Sequence, residues 1–317
     1  MGNTMSYSGI FAILLPYMAF AFLGGATNRL GITRGRPEKL ILKFYINFLV
    51  PVLIVNYVVG NDALKDIGNV IAAPLVGFYG IVVGYIVSLA AVKYFGIREK
   101  ASAASFAFTV GIYNYGFISI PLTEHILGKS AVGLLLVHNI GIDTAYWSVG
   151  IGMLTGFSIK NMKTLLKNPP LIAIFASLAV NFAAGGDVIP DWARKIMHPV
   201  VVAAIPIGIF VSGATLAENA SALIKKGGWL VSFGAVLLRM FVIPALMVLT
   251  VMILPVSHEL KMITAVQASM PAGMLSIVIV KYFGGDVETA AQTIFTTTIA
   301  GMFTIPLWIA FFMRVLS

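Results

Sequence analysis

Ten apolar runs, each near the ~20 residues that cross a bilayer as a helix, take up most of this sequence and leave between them loops too short for a soluble domain. In hydrocarbon every backbone N–H and C=O must be satisfied within the chain, so runs of this length commit it to an all-α membrane protein. Of the 317 residues, 59% are hydrophobic and 10% charged, where a soluble chain carries about a quarter charged residues. Mean hydropathy is +0.96. The expected spans lie at about 7–28, 40–59, 70–94, 101–126 and 131–157, then 171–184, 200–216, 229–254, 262–282 and 289–315. No charged side chain precedes the first of them within Met1 to Gly9, so it reads as a span and not as a cleaved signal peptide.

Charge supplies the topology. Fourteen of the 21 Lys and Arg fall in one set of alternate loops, among them Arg29, Arg34, Arg36, Lys39, Lys93, Arg98, Lys100, Lys160, Lys163 and Lys167. Six fall in the other set and Arg239 lies within a span. The positive-inside rule then puts both termini outside the cytoplasm, and the plasma (inner) membrane is the expectation for a short chain of this kind. The net charge of +9 is therefore a topology signal and not a nucleic-acid surface. The acidic loop around Asp62 and Asp66 faces out, and the loop with Asp187, Pro190, Asp191 and Trp192 is expected along the outer interface. On the cytoplasmic side, the sequon Asn219-Ala220-Ser221 is expected to stay unmodified.

The fourth run is built to fail as one helix. Gly111-Ile112-Tyr113-Asn114-Tyr115-Gly116-Phe117-Ile118-Ser119-Ile120-Pro121 puts two glycines, several polar side chains and a proline at mid-span, all of which weaken the i to i−4 ladder. Freed backbone groups at this depth are tolerated only where protein or trapped water satisfies them, so the break marks a cavity. The ninth run is interrupted likewise by Gln267-Ala268-Ser269-Met270-Pro271-Ala272-Gly273.

These breaks fall in register. Ten spans split five and five, and an odd number per half gives the halves opposite orientations. Pro51 and Pro206 sit in the second span of each half, the breaks near Pro121 and Pro271 in the fourth, and the exits Leu127-Gly128-Lys129-Ser130 and Phe283-Gly284-Gly285-Asp286 follow. Two inverted repeats, 1–158 and 169–317, joined by a cytoplasmic linker at 159–168, are the expectation, with a midplane substrate site between paired discontinuous helices.

At such a site half-helix N-termini offer free N–H groups and positive dipole ends to an anion, and Asn114, Gln267 and Ser269 complete its hydrogen bonding. The bland alternative is that these side chains satisfy the broken backbone only. In span five, His138, Asn139 and Asp143 form a dense polar group, with Asn139 and Asp143 four apart on one helix face. A coupling site for H⁺ or Na⁺ there and a charge-neutral structural pair of Asp143 with Arg239 are both open. Glu124 and His125, near the outer end of span four, read as a gate or as solvated helix-end residues. The threonines 293, 296, 297 and 298 of span ten could hold Na⁺, though Thr in a membrane helix more often bonds its own i−4 carbonyl.

With those residues in view the chain resembles the auxin efflux carrier family, which spans plant auxin carriers and bacterial malonate-type carriers. The resemblance rests on Asn114-Tyr115-Gly116-Phe117-Ile118-Ser119-Ile120-Pro121-Leu122, on Met270-Pro271-Ala272-Gly273 followed by Lys281-Tyr282-Phe283-Gly284-Gly285-Asp286, and on Lys43-Phe44-Tyr45-Ile46-Asn47-Phe48-Leu49-Val50-Pro51. It implies crossing of spans four and nine, a core sliding against a scaffold of spans one, two, six and seven, and a homodimer through that scaffold. It also implies an organic anion as substrate, with Asn114 facing its carboxylate. Tyr115 stands where the family has a small Thr, Ser119 where it has Gly, and Ser276 where plant carriers have a second proline, so auxin is a poor default. Break and resemblance together give a substrate-binding set of Tyr113, Asn114, Tyr115, Pro121, Gln267, Ser269, Pro271 and Ser276.

Signals for an enzyme are absent. Gly128-Lys129-Ser130 has Thr123 where a phosphate-binding loop needs its first glycine, and there is neither a zinc-protease motif nor a Gly-x-Ser-x-Gly elbow. The chain has no cysteine, which excludes disulfides and thiolate chemistry. The expectation is a secondary transporter of a small mono- or dicarboxylate, in contact with lipid, without cofactor or nucleic acid. A Na⁺/H⁺ antiporter of related fold using Asp143, and a membrane receptor or assembly subunit without translocation, are the rivals.

Overall fold

The computed structural model describes residues 6–155, 167–184, 188–218, 220 and 228–316. Lys160, Lys163, most of the linker 159–168, Asp187, and Asn219 and Ser221 of the sequon lie outside the described residues. Among those described there is no β-strand, and we number the helices α1 to α12: Tyr7–Arg29, Arg36–Val58, Ile67–Ala91, Lys100–Gly111, Ser119–Leu127, Lys129–Ala145, Pro169–Ala184, Asp191–Glu218, Trp229–Ile253, His258–Ala268, Leu275–Tyr282 and Val287–Val315. Six of them, α1, α2, α3, α8, α9 and α12, are long and apolar enough to cross a membrane, α3 with the 3₁₀ turn that ends it at Phe95. Their outer faces carry bare apolar side chains such as Phe22, Leu75 and Ile253, 76%, 66% and 85% exposed. In water that would be costly; lipid makes it neutral.

Prolines shape the long helices without ending them. In α2 the expected interruption is a π-helical turn, Tyr45–Leu49, just before Pro51. The same device precedes Pro244 in α9, where the π turn is Leu238–Val242. A proline has no N–H for the carbonyl four residues back, and in α9 that carbonyl, Met240 O, accepts from the indole Nε1 of Trp308 in α12. Pro206 and Pro199 are absorbed inside α8, which begins at Asp191. The span expected from 200 thus begins at Asp191, and Asp191 and Trp192 form the first turn of the same long helix.

Two helices are interrupted outright. α4 stops at Gly111 and α5 starts at Ser119; α10 stops at Ala268 and α11 starts at Leu275. Pro121 is not the breaking residue. It sits in the first turn of α5, where its missing N–H would be unpaired in any case. Beside these half-helices runs α6, buried on every side from Ala131 to Asp143. It continues beyond Ala145 through a π turn, Tyr146–Gly150.

Close backbone approach holds the packing together. A β-carbon on Gly24 of α1 would overlap the carbonyl of Phe210 in α8, and one on Gly213 of α8 would overlap that of Ala21. Such small-residue contacts are how helices associate where lipid removes the hydrophobic drive. α1 packs on α8, and α7 on α2; α3 packs on α6, and α9 on α12; α3 packs on α4, and α9 on α10. α4 also meets α12 while α10 meets α6, and α5 meets α10 while α11 meets α4. The scheme is unchanged when α1–α6 are exchanged, in order, with α7–α12.

Candidate functional site

The two breaks lie against each other. Tyr113 and Ala272 form an antiparallel bridge, in which Asn114 N–H donates to Pro271 O (2.8 Å) and Gly273 N–H to Ile112 O (2.9 Å). Ala272 N–H donates to the hydroxyl of Thr297 in α12 (3.2 Å). The backbones approach so closely that a β-carbon on Gly273 would stand 2.7 Å from Ile112 Cγ2 and 3.0 Å from Tyr113 O. Each break therefore brings one helix C-terminus, that of α4 or α10, and one N-terminus, that of α5 or α11, to the same place. Positive and negative dipole ends alternate around the crossing.

Asn114 is 2% exposed, and its side-chain orientation is settled by chemistry. Its Oδ1 accepts the backbone N–H of Phe117 (3.1 Å). A backbone N–H can only donate, so the oxygen must face it and the Nδ2 group points the other way. Nδ2 has no partner. The residue lines a cavity of about 60 Å³ between the crossing and helices α1 and α8, together with Pro271 and Thr298 and, across from them, Tyr17 and Ser212.

Behind the crossing runs a chain of amides. Asn139 Nδ2 donates to Tyr115 O (3.1 Å), and Gln267 Nε2 donates to Asn139 Oδ1 (2.9 Å). The carbonyl of Tyr115 fixes both orientations, and Gln267 Oε1 is left without a partner. The Tyr115 hydroxyl donates to Asp143 Oδ1 (2.7 Å). Residues from α6, α10 and the first break are thus tied into one network, with the backbone of the break as its hub.

The pairing of Asp143 with Arg239 is not formed. Arg239, fully buried in the π turn of α9, donates from Nη2 to Ala268 O, the last carbonyl of α10 (2.6 Å), and its guanidinium stands 5.0 Å from the ring centre of Tyr113. Its Nε and Nη1 have no partner. Among the described residues the ion pair present is Lys65 with Asp62, exposed in the loop after α2.

The other expected residues scatter. Tyr113 is fully buried under Arg239, and Ser269 and Ser276 spend their hydroxyls on Ala265 O and Gly273 O. His138 is buried with its ring against Gly77 of α3. Glu124 accepts from the hydroxyl of Tyr57 in α2 (2.7 Å), which joins α5 to α2. Only Asn114 and Pro271 of the expected substrate set reach the cavity. Ser212 and Tyr17 carry no signal in the sequence, and Thr298 is marked there only with the other threonines of α12 as a candidate Na⁺ ligand. Thr296 and Thr297 do bond carbonyls four residues back (2.8 and 2.7 Å), but Thr298, turned to the next face, does not. Among the described residues no group of three or more His, Cys, Asp or Glu could hold a metal ion.

Comparison with known proteins adds two findings. The family model described as membrane transport protein matches residues 10–157 and 153–309. An uncharacterized transporter of Methanocaldococcus jannaschii is 23% identical over 303 residues, 93% of this chain and 96% of that protein. An uncharacterized transporter of Methanothermobacter thermautotrophicus is 24% identical over 310 residues, 96% of this chain and 99% of its own length.

Proposed function

The chain belongs to this family of membrane transport proteins, the auxin efflux carrier family that its motifs resemble, and on that premise we propose that it is a secondary active carrier of a small organic anion, bound where the two breaks cross. The observation that carries the reading is the buried amide of Asn114 at the crossing, whose Nδ2 has no partner, in a residue that lines a cavity beside the start of a half-helix. An amide donor and helix N-termini hold a carboxylate without a full counter-charge, which keeps release easy.

Counting α4 with α5 and α10 with α11 as one broken span each gives ten spans. The exchange-symmetric packing supports two repeats, 1–158 and 169–317, inverted about the membrane plane. In this reading α3–α6 and α9–α12 form a core that moves, elevator-like, against α1, α2, α7 and α8, and the same four helices carry a homodimer contact. Both termini lie outside the cytoplasm in the plasma membrane. Asp143, hydrogen-bonded to the break through Tyr115, is the coupling residue for a proton.

The test is counterflow in proteoliposomes with labelled malonate, malate, lactate and indole acetate, for wild type and Asn114→Ala. Saturable exchange of an acid, lost in the variant, is expected. Exchange untouched by Asn114→Ala would sink the site. One observation favours the cation/proton antiporter: Gln267, Asn139, Tyr115 and Asp143 form a continuous oxygen-rich network at the crossing. That rival requires Na⁺-driven proton movement that Asp143→Asn abolishes while Asn114→Ala leaves it largely intact.

A further inference from the structure

The two bundles meet unevenly. Exchanging the repeats maps the contact of α2 with α6 onto that of α8 with α12, and the contact of α1 with α12 onto that of α7 with α6. Among the described residues the first contact of each pair is extensive and the second slight. Both extensive contacts lie toward one end of the molecule. Ile10 and Leu14 of α1 share a buried cluster with Ile305, Ile309 and Phe312, in the last turns of α12, and α2 meets α6 where α2 stops and α6 starts.

Three side-chain hydrogen bonds join the bundles at that same end. The hydroxyl of Tyr57 in α2, a residue 6% exposed, donates to Oε2 of Glu124 in α5 (2.7 Å). Asn61, just past α2, donates from Nδ2 to Ser130 O at the start of α6 (2.9 Å) and accepts the Ser130 hydroxyl at Oδ1 (3.2 Å). Its other two bonds stay within its own bundle, Nδ2 to Tyr57 O (2.8 Å) and Oδ1 from the Ala63 N–H (3.0 Å). The Ala63 N–H can only donate, which fixes the orientation of the amide. Asn181 of α7 steadies the turn, its Oδ1 accepting the N–H groups of Gly60 (2.7 Å) and Asn61 (3.2 Å). Asn61 is thus a fully paired amide, anchored to one bundle and shared with the other. Gly133 of α6 makes room for it, since a β-carbon there would overlap Asn61 Nδ2.

Tyr57 also stands between two spaces. On one side is a polar recess of about 270 Å³, bordered by Asn56, Asn61, Lys129, Ser130 and Arg194. On the other, Tyr17 packs against the cluster that holds Tyr57 and lines the cavity beside the crossing. We propose that Tyr57 with Glu124, and Asn61 with Ser130, form a latch that holds the carrier closed at this end, the outer one by the charge pattern, and that must come apart for the crossing to open there. The inference rests on the reading of a core that moves against α1, α2, α7 and α8, and it names the contacts that set the resting position of that core.

The bonds divide as a latch requires. A slide of one helical turn, ~5.4 Å, breaks all three bonds between the bundles. The two that Asn61 makes within its own bundle survive, so its amide stays placed to re-form the others on return. Glu124 is only partly buried, so water takes over its hydrogen bonding while the latch is open. The latch therefore biases the population of two states and does not lock one of them.

The chain has no cysteine, so one introduced thiol reports without background. Thr298→Cys places it on the wall of the cavity. Its reaction with a membrane-impermeant maleimide is timed on intact cells expressing the full chain and on inverted vesicles, alone and combined with Tyr57→Phe, Glu124→Ala or Glu124→Gln. Losing a hydrogen bond to a charged group should speed labelling from the latched side roughly ten-fold in Tyr57→Phe and in Glu124→Ala, without speeding it from the other side. Glu124→Gln keeps an acceptor for the Tyr57 hydroxyl and should stay near the parent. Unchanged rates in both Tyr57→Phe and Glu124→Ala would overturn the latch. So would faster labelling from both sides in both variants, which marks lost packing, or Glu124→Gln behaving as Glu124→Ala. No anion enters this assay, so a failure of every acid in counterflow leaves its result standing, and a failed latch leaves the anion site untouched.

Discussion

Asn114 performs two tasks with two different atoms, and a pair of substitutions separates them. Oδ1 caps the Phe117 N–H, and Nδ2, which has no partner, is the donor that the proposed function reserves for the anion. In Asn114→Ala both are lost. An unsatisfied buried N–H costs about 1–3 kcal/mol, and a lost hydrogen bond to a charged group costs about 1.5–3 kcal/mol of binding. The second figure corresponds to a roughly ten- to hundred-fold weaker anion, at about 1.4 kcal/mol per factor of ten. In Asn114→Asp an oxygen still caps Phe117, next to the positive end of α5, so that hydrogen bond is kept, although a carboxylate at a site 2% exposed adds a burial cost of its own. The second oxygen now puts negative charge where the amide protons stood, and anion binding should fall below detection. The assay is a thermal unfolding midpoint in detergent beside counterflow in proteoliposomes. The expected pattern is flux lost in both variants, with the midpoints lowered for different reasons, the open Phe117 N–H in Ala and the buried charge in Asp. If Asn114→Asp carried the anion as wild type does, or if flux in the two variants simply followed their stability, the division of labour argued from the side-chain orientation would be wrong.

Two further outcomes follow from the backbone. Gly273→Ala drives a β-carbon to 2.7 Å from Ile112 Cγ2 and 3.0 Å from Tyr113 O, so the bridge must open; overpacking of this kind costs about 1–3 kcal/mol, read as a lowered unfolding midpoint together with lost flux, and unchanged values in both would refute the close crossing. Asp286 caps α12 by accepting the N–H groups of Glu288 and Thr289 (3.0 and 3.1 Å) and the hydroxyls of Ser102 and Thr289 (both 2.6 Å). Partial burial works against its charge, but these donors outweigh it and hold the carboxyl below its ordinary range. Because the folded value is depressed, the contribution is present above the ordinary carboxylate pKa, near 4, and is lost as pH falls through the folded one. Asp286→Ala should therefore lower the midpoint by an amount that is constant between pH 5 and 8 and shrinks below pH 4, equivalent to about 0.5–2 kcal/mol for a lost cap. A difference that instead grew in acid would refute the assignment.

Much of this architecture is written in the sequence in a form physics can read. Apolar length gives all-helical membrane structure, and glycine with proline in the middle of a run gives each break. What misleads is the proline itself. Pro121 looks like the breaking residue, yet it opens α5, and the helix fails earlier, between Gly111 and Ser119. A proline cannot say from sequence alone whether it ends a helix, begins one or sits beside a π turn, because the outcome depends on who satisfies the carbonyl four residues back. In α9 that partner is Trp308, which lies 68 residues away. The cavity residues were hidden for a different reason. Ser212 is an ordinary helix hydroxyl and Thr298 one of four threonines in its span, and only the absence of an i−4 bond, which a sequence does not display, distinguishes Thr298 from Thr296 and Thr297.

The separation of Asp143 from Arg239 carries the same lesson further. Opposite charges in a low-dielectric interior suggest an ion pair, since each alone is expensive. Here each charge is met by a product of the broken helices. Arg239 donates to Ala268 O, the terminal carbonyl of α10, where the helix dipole is negative and the last carbonyls have no partner in the helix. Asp143 takes the hydroxyl of Tyr115, which lies in the other break. Interrupting a helix at mid-depth thus exposes backbone groups that must be satisfied, and those groups in turn steady charges that the interior would otherwise reject. Because the tyrosine and the carbonyl belong to the crossing, any rearrangement of the crossing changes the surroundings of both charges at once. An ion pair between Asp143 and Arg239 would have insulated them from it. Tyr115→Phe leaves the carboxylate without that donor while preserving the ring, and so it isolates the link: altered dependence of flux on a proton gradient, with anion affinity kept, is the outcome this coupling requires.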